Sequence, residues 1–173
     1  TIIIGAAASY DFVKKAHQAK WSSSAGDLRW PMVSGDRRGA ASVMTDTIIM
    51  CPEQVGNGWI SGRFADYYTD QGGTILSRAV TVPKLAKFTT KVGFGSGTTS
   101  TDGVRVAFGY LDAAGSVVLL QKMDVYSDGK LHDYEVDLSQ LGGKKTEFTL
   151  WVEAKDSAEG DCVRWVEPKI VQK

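Results

Sequence analysis

Hydrophobic side chains recur at every second residue through much of this chain, a rhythm that suits a half-buried strand and not a helix. In 146–154, Phe148, Leu150, Val152 and Ala154 share one face, while Thr149, Trp151 and Glu153 fall on the other. Val104, Val106, Phe108 and Tyr110 alternate in the same way with Arg105, Ala107 and Gly109. Tyr134, Val136 and Leu138 alternate with Asp133, Glu135 and Asp137, a row of carboxylates that reads as a solvated outer face. Strand-like segments cover 40–50, 58–64, 74–82, 86–95, 103–111, 116–125, 131–138, 146–154 and 162–171. Between them, Asp102-Gly103, Ala114-Gly115, Asp128-Gly129 and Gly142-Gly143 are turn signals expected to reverse the chain between antiparallel neighbours.

Strands in such number, without alternating helices, must bury their apolar faces against each other. The pattern predicts an all-β fold, an antiparallel two-sheet β-sandwich of jelly-roll type, in one domain spanning 1–173. One short N-terminal helix is expected over 11–20, with Tyr10, Val13 and Ala16 at helical spacing. The polar stretch from Ser22 to Gly39 reads as a long connection, and Phe64 to Gly73 as an aromatic-rich loop.

Charge narrows the function. Twenty Lys and Arg balance twenty Asp and Glu without a run of either sign, so the electrostatic footprint of a nucleic-acid binder is missing. No stretch of about 20 apolar residues is present to span a membrane as a helix. The opening TIIIGAAAS resembles the tail of a signal peptide, which points to a secreted protein, or it is an edge strand. Cys51 and Cys162 are too far apart in sequence for a metal-ligand pair. Two states stay open for them: a disulfide, which export permits, or two buried thiols acting as small hydrophobes. Catalysis finds no support, because His17 and His132 lack companion motifs and nothing selects one carboxylate pair from twenty acids. The glycines of 93–97 precede no helix and so form no phosphate cradle.

Four segments carry a resemblance: YDFVKKAHQAKWSSSAGDL, GWISG, KVGFGSGTTSTDGVRVAFGYLD and the late WVEPKI. Together they resemble the jelly-roll, galactose-binding-like carbohydrate-binding modules of bacterial and archaeal surface proteins. The resemblance implies a carbohydrate ligand and, in some such modules, a structural calcium ion. Calcium takes oxygen ligands from loops and strand ends, so Asp11, Asp161 and Glu167, near the chain termini, are its candidate ligands here.

The residues themselves point to where a sugar would sit. Alternation turns Trp151 away from the apolar face, where an indole serves either as a platform for the C–H face of a sugar or as a ring covered by a loop. Tyr67 and Tyr68, beside Asp66, and Trp30, between Arg29 and Pro31, are further stacking candidates in loops. Arg105, Asp66 and Glu153 are the polar candidates, whereas Trp21, Trp59 and Trp165 are assigned to the core. The expected function is non-catalytic glycan binding. The alternative is a structural or adhesive surface or virion domain that uses exposed aromatics and strand edges for protein contacts.

Overall fold

The computed structural model describes residues 10–33, 35–95 and 101–172, with the backbone alone for Tyr67, Ile75, Ser77 and Arg78. The TIIIGAAAS start and the end of the 93–97 glycine run lie outside the described residues. In chain order the strands are β1 (Tyr10–Asp11), β2 (Lys20–Ser23), β3 (Gly26–Leu28), β4 (Ala40–Met44), β5 (Thr47–Cys51), β6 (Trp59–Phe64), β7 (Asp66–Thr69) and β8 (Ile75–Arg78). They continue as β9 (Val80–Thr81), β10 (Ala86–Phe94), β11 (Val104–Leu111), β12 (Val117–Val125), β13 (His132–Asp137), β14 (Lys145–Thr146), β15 (Phe148–Ala154) and β16 (Val163–Gln172).

Two six-stranded sheets form the sandwich. Sheet A runs β13-β10-β16-β5-β4 with β1 also on β16, and sheet B runs β12-β11-β15-β6-β2-β3. The inward positions of both sheets make one core, as the alternation requires. Phe88 of sheet A stacks on Phe108 of sheet B with ring centroids 4.1 Å apart. Tyr134 ties the same layers by hydrogen bonds. The Phe108 N–H donates to its hydroxyl at 2.8 Å, and the hydroxyl donates to the Gln121 carbonyl. Both backbone groups sit at a bulge, where the β11–β12 register shifts between Phe108 and Gly109. Burial pushes the Tyr134 hydroxyl up to about 12, so it stays protonated and able to donate.

Several sequence expectations change. The helix contracts to one turn, α1 (Phe12–Lys15), capped by Asp11, whose Oδ1 accepts from the Val13 N–H at 3.0 Å. It ends early because Lys20–Ser23 is drawn into sheet B by pairing with β6. The expected connection 22–39 therefore contains the end of β2 and all of β3, and the expected 64–73 loop contains β7. The segment 40–50 is a hairpin, not one strand: Thr45 takes a φ of 58° and folds β5 back on β4. The segment 74–82 likewise divides into β8 and β9.

Of the four glycine turns, one joins sheet neighbours. Ala114 and Gly115 link β11 to β12. Asp102 and Gly103 instead carry the chain from β10 in sheet A to β11 in sheet B, and Asp128 and Gly129 carry it back from β12 to β13. Gly142 and Gly143 lead into β14, which pairs with β9. These crossings between layers are what a jelly roll needs. Gly103 is required at its crossing, since its φ is +95° and a Cβ would come within 2.8 Å of the Val125 carbonyl oxygen.

The two cysteines are joined. Met50 pairs with Val163 across β5 and β16, and the next step of that register sets Cys51 opposite Cys162, which form a disulfide with Cα atoms 4.1 Å apart.

Candidate functional site

The outer face of sheet B is built from the positions that alternate with the core. Trp151 on β15 stands between Ala107 of β11 and Ser61 of β6, two small residues that leave room for an indole. Its diagonal neighbour is Trp59, the first residue of β6, and the two rings stack with centroids 4.6 Å apart and planes 19° from parallel. Both are half-buried, so neither is sealed into the core and each keeps part of its surface open. Trp59 thus belongs to the face and not to the core where sequence reading put it. Ile60 and Phe64 are buried in the sandwich, and Trp59, Ser61 and Arg63 alternate with them. That two-residue rhythm was the signal that could have found it.

A band of charge borders the indoles. The Arg105 Nε donates to Asp124 Oδ1 at 3.1 Å, and its Nη1 lies 3.8 Å from Glu153 Oε1. Lys155 reaches Asp124 Oδ2 at 3.3 Å, donates to the Tyr126 hydroxyl at 3.0 Å, and lies over that ring 4.7 Å from its centre. The hydrogen bond from Arg105, opposed by burial and helped by Lys155, holds the Asp124 carboxyl below its usual range. The Tyr126 hydroxyl, ahead of Asp124, pushes the Lys155 ammonium up. Fixed donors and acceptors beside a flat apolar surface suit a ligand that has hydroxyls at its rim and C–H groups on its face.

The candidates named from sequence fall into separate places. Trp151, Arg105 and Glu153 share this face. Asp66, Tyr67 and Tyr68 lie on the β7–β8 hairpin, beyond the end of β6 opposite Trp59, about 17 Å along the strand. There Asp66 pairs with Lys15 at 3.3 Å and Tyr68 is 43% exposed, while the Tyr67 side chain lies outside the described residues. Trp30 is half-buried and stacks on the core residue Trp21 at 5.8 Å, and so closes one flank of the core. Trp21 and Trp165 are buried as expected. The row Asp133, Glu135 and Asp137 is exposed, with Glu135 3.3 Å from Lys87.

The three candidate calcium ligands are not brought together. Asp11 and Glu167 line a hollow of about 220 Å³, but Lys14 and Lys169 line it too. Asp161 is buried elsewhere, accepting a hydrogen bond from the Thr101 hydroxyl. Among the described residues no group of three or more His, Cys, Asp or Glu side chains is arranged to hold a metal ion.

Asp161 instead has a consequence for stability. Burial pushes its carboxyl up to about 6, partly countered by Thr101 and reinforced by the charge of Asp102. The unfolded chain releases that proton near the ordinary value of about 4, so over this window the folded state holds more protons. The contribution of Asp161 to stability therefore falls as pH rises from about 4 to about 6, by about 3 kcal/mol at most, and is flat above. Asp161→Asn is expected to flatten that slope in urea unfolding across this range, and an unchanged slope would assign it to another group.

No family model matches the sequence, and no curated protein matches it. Solved structures do. A carbohydrate-binding module of the β-sandwich superfamily, described for its promiscuous specificity, aligns with a TM-score of 0.54 at 10% identity, covering 99% of this chain and 64% of its own. The N-terminal CBM22-1-CBM22-2 tandem domain from Paenibacillus barcinonensis Xyn10C aligns with a TM-score of 0.51 at 11% identity, covering 99% of this chain and 46% of its own. This chain thus spans between about half and two thirds of the length of those two. At such identities the likeness is one of fold, and the fold this chain shares with them is the antiparallel β-sandwich of carbohydrate-binding modules.

Proposed function

We propose that this domain is a non-catalytic carbohydrate-binding module that takes its glycan on the outer face of sheet B. The observation that carries the reading is the Trp59–Trp151 stack, half-open on a face where alternation calls for polar side chains. The indoles offer a sugar its stacking surface, and Arg105, Glu153, Asp124 and Lys155 offer its hydroxyls partners. Both neighbours of the same fold are carbohydrate-binding modules by description, which supports the same reading.

The charges of this face suit binding without turnover. Hydrolysis of a glycoside needs one carboxyl raised to act as an acid, whereas Asp124 is held low by Arg105. Asp161, whose carboxyl is raised, is buried and accepts from the Thr101 hydroxyl. An extracellular setting fits the Cys51–Cys162 disulfide, since such bonds persist in oxidising compartments.

Calorimetric titration with xylo-, gluco- and galacto-oligosaccharides tests the reading. Trp151→Ala is expected to weaken binding about thirtyfold or more while the protein stays folded. Unchanged affinity in that variant, or no binding of any glycan by the parent protein, would overturn it.

A further inference from the structure

Glu53 is a buried charge, 5% exposed, and among the described residues no basic side chain pairs with it. An isolated buried carboxylate is costly unless hydrogen bonds replace its water. Here they do. Oε1 accepts from the Gly56 N–H at 2.6 Å, and Oε2 accepts from the Gly58 N–H at 3.0 Å and from the Ser24 hydroxyl at 3.2 Å.

Ser24 passes this on to the backbone of Trp59. Its Oγ accepts the Trp59 N–H at 3.1 Å, and its own N–H donates to the Trp59 carbonyl at 3.2 Å. The hydrogen bonds thus run in one direction, from the Trp59 backbone to the Ser24 hydroxyl to the Glu53 carboxylate. Gly58 completes the clamp. A Cβ there would fall 1.7 Å from Ser24 Oγ, and the Gly58 carbonyl accepts from the Ala154 N–H of β15 at 2.9 Å. Apart from the Gly56 bond, these contacts bear on Gly58, on Trp59 through Ser24, or on the strand that carries Trp151.

We infer that Glu53 is a positioning residue for the tryptophan platform: through Ser24 and Gly58 it fixes where β6 begins and so holds Trp59 in register against Trp151. The inference rests on the glycan reading for its effect on affinity, but its effect on the indole pair stands apart from that reading. A carboxylate is needed because donors approach both oxygens. A glutamine has one acceptor oxygen, and its NH2 would face either the Gly56 amide or the Gly58 and Ser24 donors. One side of the clamp would then open.

Two readouts are measured on the whole chain well below its melting temperature: the far-ultraviolet exciton couplet of the Trp59–Trp151 pair, taken as the signal lost in Trp59→Ala because Trp21 and Trp30 form a second stacked pair, and calorimetric affinity for the same oligosaccharide panel. Glu53→Gln is expected to reduce the couplet by about half or more and to weaken binding about tenfold, the equivalent of one lost charge-assisted hydrogen bond. In a Trp59→Ala background the couplet is absent, and Glu53→Gln should weaken binding no further, as coupled residues require. Val136→Ala, a core change in sheet A, should lower the melting temperature and leave both readouts intact. If Glu53→Gln does not fold, Ser24→Ala carries the same test. A couplet and an affinity that survive Glu53→Gln, or Ser24→Ala in its place, would make Glu53 a loop brace only and overturn the inference. A parent protein that binds no oligosaccharide but loses its couplet in Glu53→Gln would keep the positioning role and remove the glycan reading instead.

Discussion

Reduction of the Cys51–Cys162 disulfide, or its replacement by two alanines, is expected to cost about 2–5 kcal/mol and to lower the melting temperature by about 10 °C. The bridge spans 111 residues, so it removes a large share of the conformational freedom of the unfolded chain. On chain-entropy grounds a loop of this length gives close to 5 kcal/mol, the upper end of that range. The bond also holds the strands at a useful place, since β5, with the edge strand β4 beyond it, joins the rest of sheet A through β16. Scanning calorimetry with and without a thiol reductant measures the shift. A reduced protein that melts at the same temperature as the oxidised one would show that the bridge adds nothing to the β5–β16 ladder.

Phe12→Ala is expected to destabilise the fold by about 3–5 kcal/mol, as much as the disulfide, although Phe12 lies in a single helical turn. Its ring is fully buried and meets rings from both sheets. Phe64 lies 4.9 Å away, Phe88 5.3 Å, Phe108 6.0 Å and Phe148 6.2 Å, centre to centre. The turn α1 therefore acts as a plug between the sheets, and truncation would leave a cavity lined by aromatic rings that cannot close over it. Urea unfolding should show a lower midpoint with an unchanged slope. A loss below about 1 kcal/mol would mean that the neighbouring rings collapse into the space.

The fold was legible in the chain because the rhythm of its core is local. Segments 103–111, 131–138 and 146–154 became β11, β13 and β15 with shifts of only a residue or two at the ends, since a residue and its second neighbour report their face without knowledge of any other strand. What the rhythm leaves open is which strand each turn delivers. Asp102-Gly103 and Asp128-Gly129 mark turns correctly, yet sheet membership depends on partners far along the chain, and both turns cross between layers. The β4–β5 hairpin was hidden because Thr45, not glycine, takes the left-handed conformation there. The helix was read too long because the pairing that captures Lys20–Ser23 comes from β6, some forty residues later.

The candidate site was half legible for the same reason. Trp151 and Glu153 on β15, and Arg105 on β11, followed from alternation and meet on one face. Trp59 was placed by its residue type, and its strand, read by the same alternation, puts it outward beside Trp151. Asp66, Tyr68 and Trp30 were chosen for lying in presumed loops. Asp66 and Tyr68 turned out to sit on a separate hairpin, and Trp30 on the core surface, neither of which a loop composition specifies.

Contact of a glycan with the indole pair on sheet B is directly measurable through the five tryptophans of this chain. Indole N–H resonances followed by NMR during titration with oligosaccharides would locate the contact. The Trp59 and Trp151 signals should move with a common binding curve, while those of Trp21, Trp30 and Trp165 stay in place. Saturable shifts confined to any other tryptophan, or no shift with any glycan, would contradict the account.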